Sequence, residues 1–177
     1  MSWMRSKINE YMNYKKSSSD TPKKHRLLFV CLGNICRSPA AEGVMKAKVR
    51  NAGLESEFAI DSAGIGNWHV GQLPDGRMRE RGACRGYRFD SRARQIRQSD
   101  FNDFDLILVM DSDNYRNVVA MAPTEEARKK VRMLTDYLVG HRGTDVVPDP
   151  YYGGIKDFDY ALDLIEDACG GLLEVLA

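Results

Sequence analysis

Residues 26–38 read RLLFVCLGNICRS: an apolar run, a short loop with one glycine, and an arginine followed directly by a serine. An apolar run of this length, bounded by polar residues, is typical of a strand buried in a parallel sheet, so we predict the first strand over residues 26–31. The pattern that follows predicts a helix over residues 39–51, with Pro39 in its first turn and Ser38 as its cap. The loop between them therefore joins a strand to a helix.

This loop, residues 31–38, is called the Cys31 loop below, and its composition suits a phosphate group. Successive backbone N–H groups that point inward before a helix N-terminus form a concave site for an anion. Gly33 permits the turn, and Arg37 adds a guanidinium that can bind two phosphoryl oxygens at once. A Walker-type nucleotide loop would need a second glycine followed by Lys and Ser/Thr, whereas this chain has Cys36-Arg37-Ser38.

A cysteine in such a loop is a candidate nucleophile. The positive potential of the loop favours the thiolate form of Cys31, and Ser38 can hydrogen-bond the sulfur when it leaves. Attack on a phosphate ester also needs an acid that protonates the leaving oxygen. Asp149 follows the fourth predicted strand, so we expect it at the same carboxyl edge of the sheet as Cys31. Tyr151 and Tyr152 offer flat walls for an aromatic substrate.

The rest of the chain alternates short apolar runs with helical patterns. This alternation predicts an α/β domain with a four-stranded, parallel, twisted sheet and helices on both faces. Further strands are predicted over residues 57–62, 105–110 and 131–134, and further helices over residues 75–85, 113–121, 124–130 and 157–176. We place this single domain at residues 25–177 and a basic N-terminal extension at residues 1–24. Within the extension, Met4, Ile8, Tyr11 and Met12 have the spacing of a short amphipathic helix. A frayed or partly ordered extension is the favoured interpretation, and a role at a membrane surface or with a partner stays open.

Composition argues against several classes of protein. The formal net charge is +1, but residues 1–26 carry seven Lys/Arg against two Asp/Glu, so the body of the chain is acidic and nucleic acid is not an expected partner. The four cysteines form no CxxC pair and the three histidines show no ligand spacing, so neither a disulfide scaffold nor a metal or other cofactor is expected. No apolar run is long enough to span a bilayer. We therefore expect a cytoplasmic protein, and we take a monomer as the default because the sequence does not indicate an oligomeric state.

The chain resembles the low molecular weight protein tyrosine phosphatase family over residues 26–177. The motifs that carry the resemblance are FVCLGNICRSP at 29–39, DSAG at 61–64, RARQ at 92–95, VMD at 109–111, DPYYGG at 149–154 and DF at 157–158. The resemblance implies that Cys31 attacks phosphorus, that Arg37 clamps the phosphate, and that Asp149 acts first as acid and then as base for water. It thus implies hydrolysis of phosphotyrosine through a cysteinyl-phosphate intermediate.

The resemblance also implies the remaining site residues and partners. The substrate-binding residues would be Leu32, Gly33, Asn34, Ile35, Cys36 and Ser38 in the loop, with Trp68, Tyr151 and Tyr152 at the cleft rim. Asn34 would hold the strained loop through hydrogen bonds that involve Ser62, and Cys36 would form a reversible disulfide with Cys31 that limits oxidation. Phosphotyrosine proteins, a cognate tyrosine kinase among them, are the implied partners.

Two other functions stay open on the sequence alone. An arsenate reductase of the same fold also attacks an oxyanion with a loop cysteine, and Cys84 could relay the oxidation. That chemistry normally needs two resolving cysteines in the middle of the chain, and only Cys84 is there. A catalytically inactive phosphotyrosine-binding module would normally lack the cysteine, the arginine or the acid, and this chain has all three. Cys169 falls in the apolar pattern of the last helix and is predicted to be a buried core thiol.

Overall fold

The computed structural model describes residues 22–177. The segment with helical spacing, Met4–Met12, lies outside the described residues, as does most of the basic extension. The division into an extension over residues 1–24 and a domain over residues 25–177 therefore stays a prediction.

Four parallel strands form one sheet in the order β2-β1-β3-β4. They are β1 (His25–Cys31), β2 (Phe58–Gly64), β3 (Leu106–Val109) and β4 (Val131–Met133). The predicted four-stranded parallel sheet is confirmed, and every strand lies within two residues of its predicted position. Because β1 pairs with both β2 and β3, the Cys31 loop leaves the sheet in the middle of its carboxyl edge. Ligands of open α/β sheets bind at this edge.

Helices connect and flank the strands. They are α1 (Arg37–Asn51), α2 (Gly76–Cys84), α3 (Asp100–Asp103), α4 (Ser112–Met121), α5 (Glu125–Lys129) and α6 (Ile155–Leu176), with 3-10 turns at Glu55–Glu57 and Leu134–Tyr137. The five predicted helices are confirmed. The short α3 and the two 3-10 turns were not predicted, because such short elements show too few residues for a periodic pattern.

Residues of β1 alternate between two hydrophobic clusters. Leu27 and Phe29 belong to the cluster that α1 and α6 cover, whereas Leu28 and Val30 belong to the cluster that includes residues of α3, α4 and α5. This alternation follows from the two-residue period of a strand. The prediction of helices on both faces of the sheet is therefore confirmed.

The predicted cap of the first helix is wrong. α1 begins at Arg37, two residues earlier than predicted, and its N-cap residue is Cys36, with no side-chain cap. Ser38 lies inside the helix, where its hydroxyl contacts the sulfur of Cys31 at 3.0 Å and accepts a hydrogen bond from Asn34 at 2.8 Å. These contacts occupy the hydroxyl that the cap would have used.

α6 closes the domain over the cluster with α1. Cys169 on this helix is fully buried, as predicted, and burial raises the pKa of its thiol to about 12. Within residues 22–177, no helix combines the length and apolar character needed to cross a membrane.

Candidate active site

The Cys31 loop turns several of its carbonyl groups away from its centre. Three of them accept backbone hydrogen bonds: from Ile65 to Cys31 at 3.0 Å, from Gly66 to Leu32 at 2.9 Å and from Asp75 to Ile35 at 2.8 Å. Within the described part of the chain, the amides of residues 33–36 donate to no backbone acceptor. These N–H groups remain available to an anion.

Asn34 holds an unusual backbone conformation at the centre of the loop. Its φ of 57° lies in the left-handed region, which costs a non-glycine residue about 1–2 kcal/mol. Its side-chain amide offsets this cost by donating to Ser38 Oγ at 2.8 Å and to Ser62 Oγ at 2.9 Å. Its Oδ1 accepts from the backbone amide of Arg94 at 3.0 Å. The contact between Asn34 and Ser62 that the resemblance implies is present, whereas the contact with Arg94 was not predicted.

Two glycines allow neighbouring segments to approach the loop closely. A Cβ atom at Gly64 would lie 2.9 Å from the carbonyl carbon of Gly33 and 3.0 Å from the nitrogen of Asn34. A Cβ atom at Gly33 would lie 3.0 Å from Cδ2 of His69. The end of β2 therefore backs the loop on one side, and the imidazole of His69 packs against it on the other.

Cys31 lies at the base of the loop with only 3% of its surface exposed. Its sulfur is 3.0 Å from the hydroxyl of Ser38, and α1 begins six residues later, at Arg37. A hydroxyl donor and a helix N-terminus both stabilise a negative sulfur.

Arg37 is 2% exposed and is held by two carboxylates and one backbone carbonyl. Its NH1 group donates to Asp111 Oδ2 at 2.6 Å and to the carbonyl of Val147 at 3.0 Å, while NH2 is 3.5 Å from Asp149 Oδ2. Its Nε is buried and has no hydrogen-bond partner among the described residues. Burial acts against its charge, but Cys31 and the two carboxylates raise the pKa of Arg37, so the guanidinium stays charged.

Asp111 is a site residue that was not predicted. It follows β3 at the carboxyl edge of the sheet, and its Oδ1 also accepts from the amide of Asn114 at 2.7 Å, which caps α4. The sequence did contain a signal for Asp111, because a carboxylate directly after a buried strand lies at the carboxyl edge of the sheet. The same argument predicted the position of Asp149. Val147 is anchored as well, because its amide donates to the carbonyl of Met110 at 2.8 Å.

A cleft of about 320 Å³ opens above the Cys31 loop. It is lined by Cys31, Leu32, Gly33, Ile35, Cys36, Arg37, Trp68, His69, Asp149, Tyr151 and Tyr152. The predicted nucleophile, clamp and acid thus share one cavity. Asn34, Ser38 and Ser62 do not line it: their side chains are buried behind the loop and bond to one another, and the contact of Asn34 and Ser38 with substrate stays a prediction. His69 was not predicted, although it directly follows Trp68.

The rim of the cleft is aromatic. Trp68 is 64% exposed and Tyr152 is 96% exposed. Tyr151 meets Tyr152 edge to face at 4.9 Å, and the guanidinium of Arg77 lies 5.5 Å from the centre of the Tyr151 ring. These side chains form walls that suit a flat ring.

The cysteines differ in environment. All four are free thiols. Cys36 is buried beside the nucleophile, and burial, followed by the negative charge of Asp75, raises the pKa of its thiol well above the ordinary value. Cys84 is exposed and does not line the cleft. Within residues 22–177, no three or more His, Cys, Asp or Glu side chains are grouped so as to hold a metal ion.

The fold and the site together suit one class of protein: an α/β phosphatase whose cysteine lies after the first strand, in a loop with amides that are available to an anion. Comparison with known proteins agrees with this class. The family model for low molecular weight phosphotyrosine protein phosphatase matches residues 26–177. The chain belongs to this family and is a protein-tyrosine-phosphatase, which disfavours both the arsenate reductase and the inactive binding module.

Individual relatives cover nearly the whole domain. A Synechocystis sp. protein, named among the low molecular weight protein-tyrosine-phosphatases, is 54% identical over 85% of this chain and 96% of its own length. The crystal structure of a protein tyrosine phosphatase from Entamoeba histolytica, with Hepes in its active site, has 47% identity and a TM-score of 0.83 over 86% of this chain and 96% of that one. A Drosophila arginine phosphatase has 34% identity and a TM-score of 0.78 over 84% and 96% of the two chains.

Proposed function

We propose that the chain hydrolyses phosphotyrosine and other aryl phosphate monoesters in two steps, with Cys31 as nucleophile and Asp149 as general acid and base. One observation carries the proposal. Cys31, Arg37 and Asp149 all line a single cleft.

In the first step, the thiolate of Cys31 attacks phosphorus and the bond from phosphorus to the aryl oxygen breaks. Protonated Asp149 gives its proton to that oxygen, so the phenol leaves uncharged. The loop amides and Arg37 bind the equatorial oxygens, on which charge accumulates. The unpartnered Nε of Arg37 supports this assignment, because a buried N–H normally has an acceptor.

In the second step, the carboxylate of Asp149 takes a proton from water as the water oxygen attacks phosphorus. The bond from sulfur to phosphorus breaks and inorganic phosphate is released. The hydroxyl of Ser38, 3.0 Å from the sulfur, stabilises the departing thiolate of Cys31. No electron transfer is needed, and the enzyme returns to its starting state.

The depth of the cleft supports an aryl substrate. Cys31 lies on its floor at 3% exposure, whereas Tyr152 stands at its mouth at 96% exposure. A phosphate on a long, flat side chain can reach the floor while its ring contacts Trp68 and Tyr151. The shorter side chain of phosphoserine would leave the aromatic walls without a partner.

Phosphotyrosine proteins, including a cognate tyrosine kinase, are the proposed substrates. Every group in the mechanism comes from one chain, which supports a monomer as the active unit. A cytoplasmic location stays a prediction.

The test is hydrolysis of p-nitrophenyl phosphate by wild type, Cys31→Ser and Cys84→Ser. Activity should be lost in Cys31→Ser and kept in Cys84→Ser, a matched control because that thiol lies outside the cleft. A panel of phosphotyrosine, phosphoserine and phosphoarginine peptides then tests the substrate class. Turnover by Cys31→Ser, or a preference for phosphoserine or phosphoarginine, would contradict the proposal.

A further inference from the structure

The side-chain amide of Asn34 is held by two separate segments of the chain. Its Nδ2 donates to Ser62 Oγ on β2 at 2.9 Å, and its Oδ1 accepts from the backbone amide of Arg94 at 3.0 Å. Because Asn34 has a φ of 57°, it keeps its conformation only while its partners hold it. The relative position of Ser62 and Arg94 therefore controls the shape of the Cys31 loop.

Arg94 lies in a segment that has little regular structure. Residues 87–97 form no helix or strand apart from a single bridge between Gln95 and Gly64. The backbone contacts around this bridge are short: Gly64 donates to the carbonyl of Arg94 at 2.8 Å, and Ile96 donates to the carbonyl of Gly64 at 2.8 Å. Two further backbone hydrogen bonds hold Ala93, which donates to Gln72 at 2.9 Å and accepts from Gly71 at 2.8 Å, and side-chain contacts fix the rest of this irregular segment.

The guanidinium of Arg94 connects its own segment to α3 and to β2. It pairs with the fully buried carboxylate of Asp100 through two hydrogen bonds of 3.0 and 3.1 Å. It also contacts Asp61 Oδ2, at 3.0 Å from Nε and 2.9 Å from NH2. The other oxygen of Asp61 accepts from the backbone amide of Ser62 at 2.8 Å. One side chain thus joins the two segments that hold Asn34.

The charges around Arg94 support this arrangement. Burial acts against the cation, but Asp100 and Asp61 raise the pKa of Arg94, so it stays charged. Bidentate pairs between a guanidinium and a carboxylate fix geometry as well as energy. Arg94 does not line the cleft and therefore has no direct contact with a substrate there.

We propose that Arg94 is a positioning residue for the phosphatase reaction: by bridging Asp61 and Asp100, it fixes the partners of Asn34 and holds the Cys31 loop in its anion-binding shape. This inference rests on the proposed function, because the loop must bind the phosphoryl group for its shape to affect the rate. Without the bridge, the loop amides lose their alignment on the oxygens of the transition state.

The experiment compares kcat and KM for p-nitrophenyl phosphate in Arg94→Met, Arg94→Lys and Arg97→Met. Arg94→Met should lower kcat about tenfold, equivalent to about 1.4 kcal/mol. Arg94→Lys should lower it less, because lysine keeps the charge but not the fork that serves both carboxylates. Arg97→Met is the matched control: its side chain is exposed and makes no ion pair with a described residue, and we expect an unchanged kcat.

A double-mutant cycle with Asn34→Ala separates positioning from a general loss of stability. If Arg94 acts through Asn34, then adding Arg94→Met to Asn34→Ala should change kcat less than about twofold. Independent losses that multiply, or a wild-type kcat in Arg94→Met, would overturn the inference. If Arg94→Met does not fold by near-ultraviolet circular dichroism, Asp61→Asn leaves the pair with Asp100 intact and serves in the same cycle. An unchanged kcat in that variant would likewise overturn the inference.

These outcomes are distinct from failure of the proposed function. The proposed function fails if Cys31→Ser retains turnover. The inference fails if Cys31→Ser is inactive and the Arg94 variants match wild type or lose activity independently of Asn34.

Discussion

The carboxylate of Asp111 has two roles, one for each oxygen: it holds Arg37 and it caps α4. Different substitutions of Asp111 should separate these two roles. Oδ2 accepts from Arg37 NH1 at 2.6 Å, and Oδ1 accepts from the amide of Asn114 at 2.7 Å, which caps α4. Serine is a good N-cap but is too short and uncharged to hold the guanidinium. Asp111→Ser should therefore keep the cap and lose the clamp, whereas Asp111→Ala should lose both.

The size of the effect follows from the burial of Arg37. A hydrogen bond to a charged group contributes about 1.5–3 kcal/mol, and Arg37 is 2% exposed, so water cannot replace the lost partner easily. Removing a carboxylate also removes repulsion of the phosphate dianion, which offsets part of the loss. We therefore expect a loss of about 2 kcal/mol in transition-state binding, or about 30-fold in kcat/KM.

The assay is steady-state hydrolysis of p-nitrophenyl phosphate together with thermal unfolding. Both Asp111 variants should lose kcat/KM to a similar extent, and Asp111→Ala should be about 1 kcal/mol less stable than Asp111→Ser because only Asp111→Ala lacks the cap. Thr124→Ala is the control, because Thr124 caps α5 away from the cleft and should affect stability alone. Wild-type kcat/KM in Asp111→Ser would refute the role of Asp111 in holding Arg37.

Three further predictions follow from other parts of the site and fold. Asp149→Asn should lower kcat for phenyl phosphate by at least about 100-fold, and kcat for p-nitrophenyl phosphate by less, because nitrophenolate can leave without a proton. Equal losses for the two substrates would exclude Asp149 as the acid. After inactivation by peroxide, dithiothreitol should restore wild type but not Cys36→Ser, and equal recovery would exclude a protective disulfide. Burial acts to raise the pKa of Asp167, but hydrogen bonds from the amides of Gly140 and His141 outweigh it and lower the pKa. The carboxylate therefore contributes stability above the pKa of about 3.9 that it has in the unfolded chain, and this contribution is lost as the pH falls through the lower pKa of the folded state. Asp167→Asn should therefore lower Tm by about 3–6 °C at neutral pH and by progressively less below about pH 4, and a difference independent of pH would contradict this.

The fold and the centre of the site could be predicted because their determinants are local. The apolar run of β1 and the loop residues that follow it are contiguous, and a strand that ends in such a loop before a helix has few alternatives. Asp149 could be placed because parallel strands bring their carboxyl ends to one edge. Tyr151 and Tyr152 could be placed because they lie beside the acid, and Trp68 because it matches an aromatic residue of the family at the cleft rim.

The supporting residues could not be predicted in the same way, because their contacts depend on how distant segments pack. Arg94 reaches Asn34 through a backbone amide, which no side-chain pattern reveals. Gly64 is needed because β2 ends against the loop backbone, and that approach depends on strand register. Ser38 was assigned to a helix cap because serine favours that position, but tertiary contacts with Cys31 and Asn34 determine where its hydroxyl points.

The central claim is that phosphorus becomes bonded to the sulfur of Cys31 during turnover. Rapid quenching of the enzyme with a radiolabelled aryl phosphate, followed by peptide mass spectrometry, measures this directly. We predict one phosphoryl group per chain, located on Cys31, and none in Cys31→Ser. Label on another residue, or full turnover in wild type without covalent label at any quench time, would contradict the account.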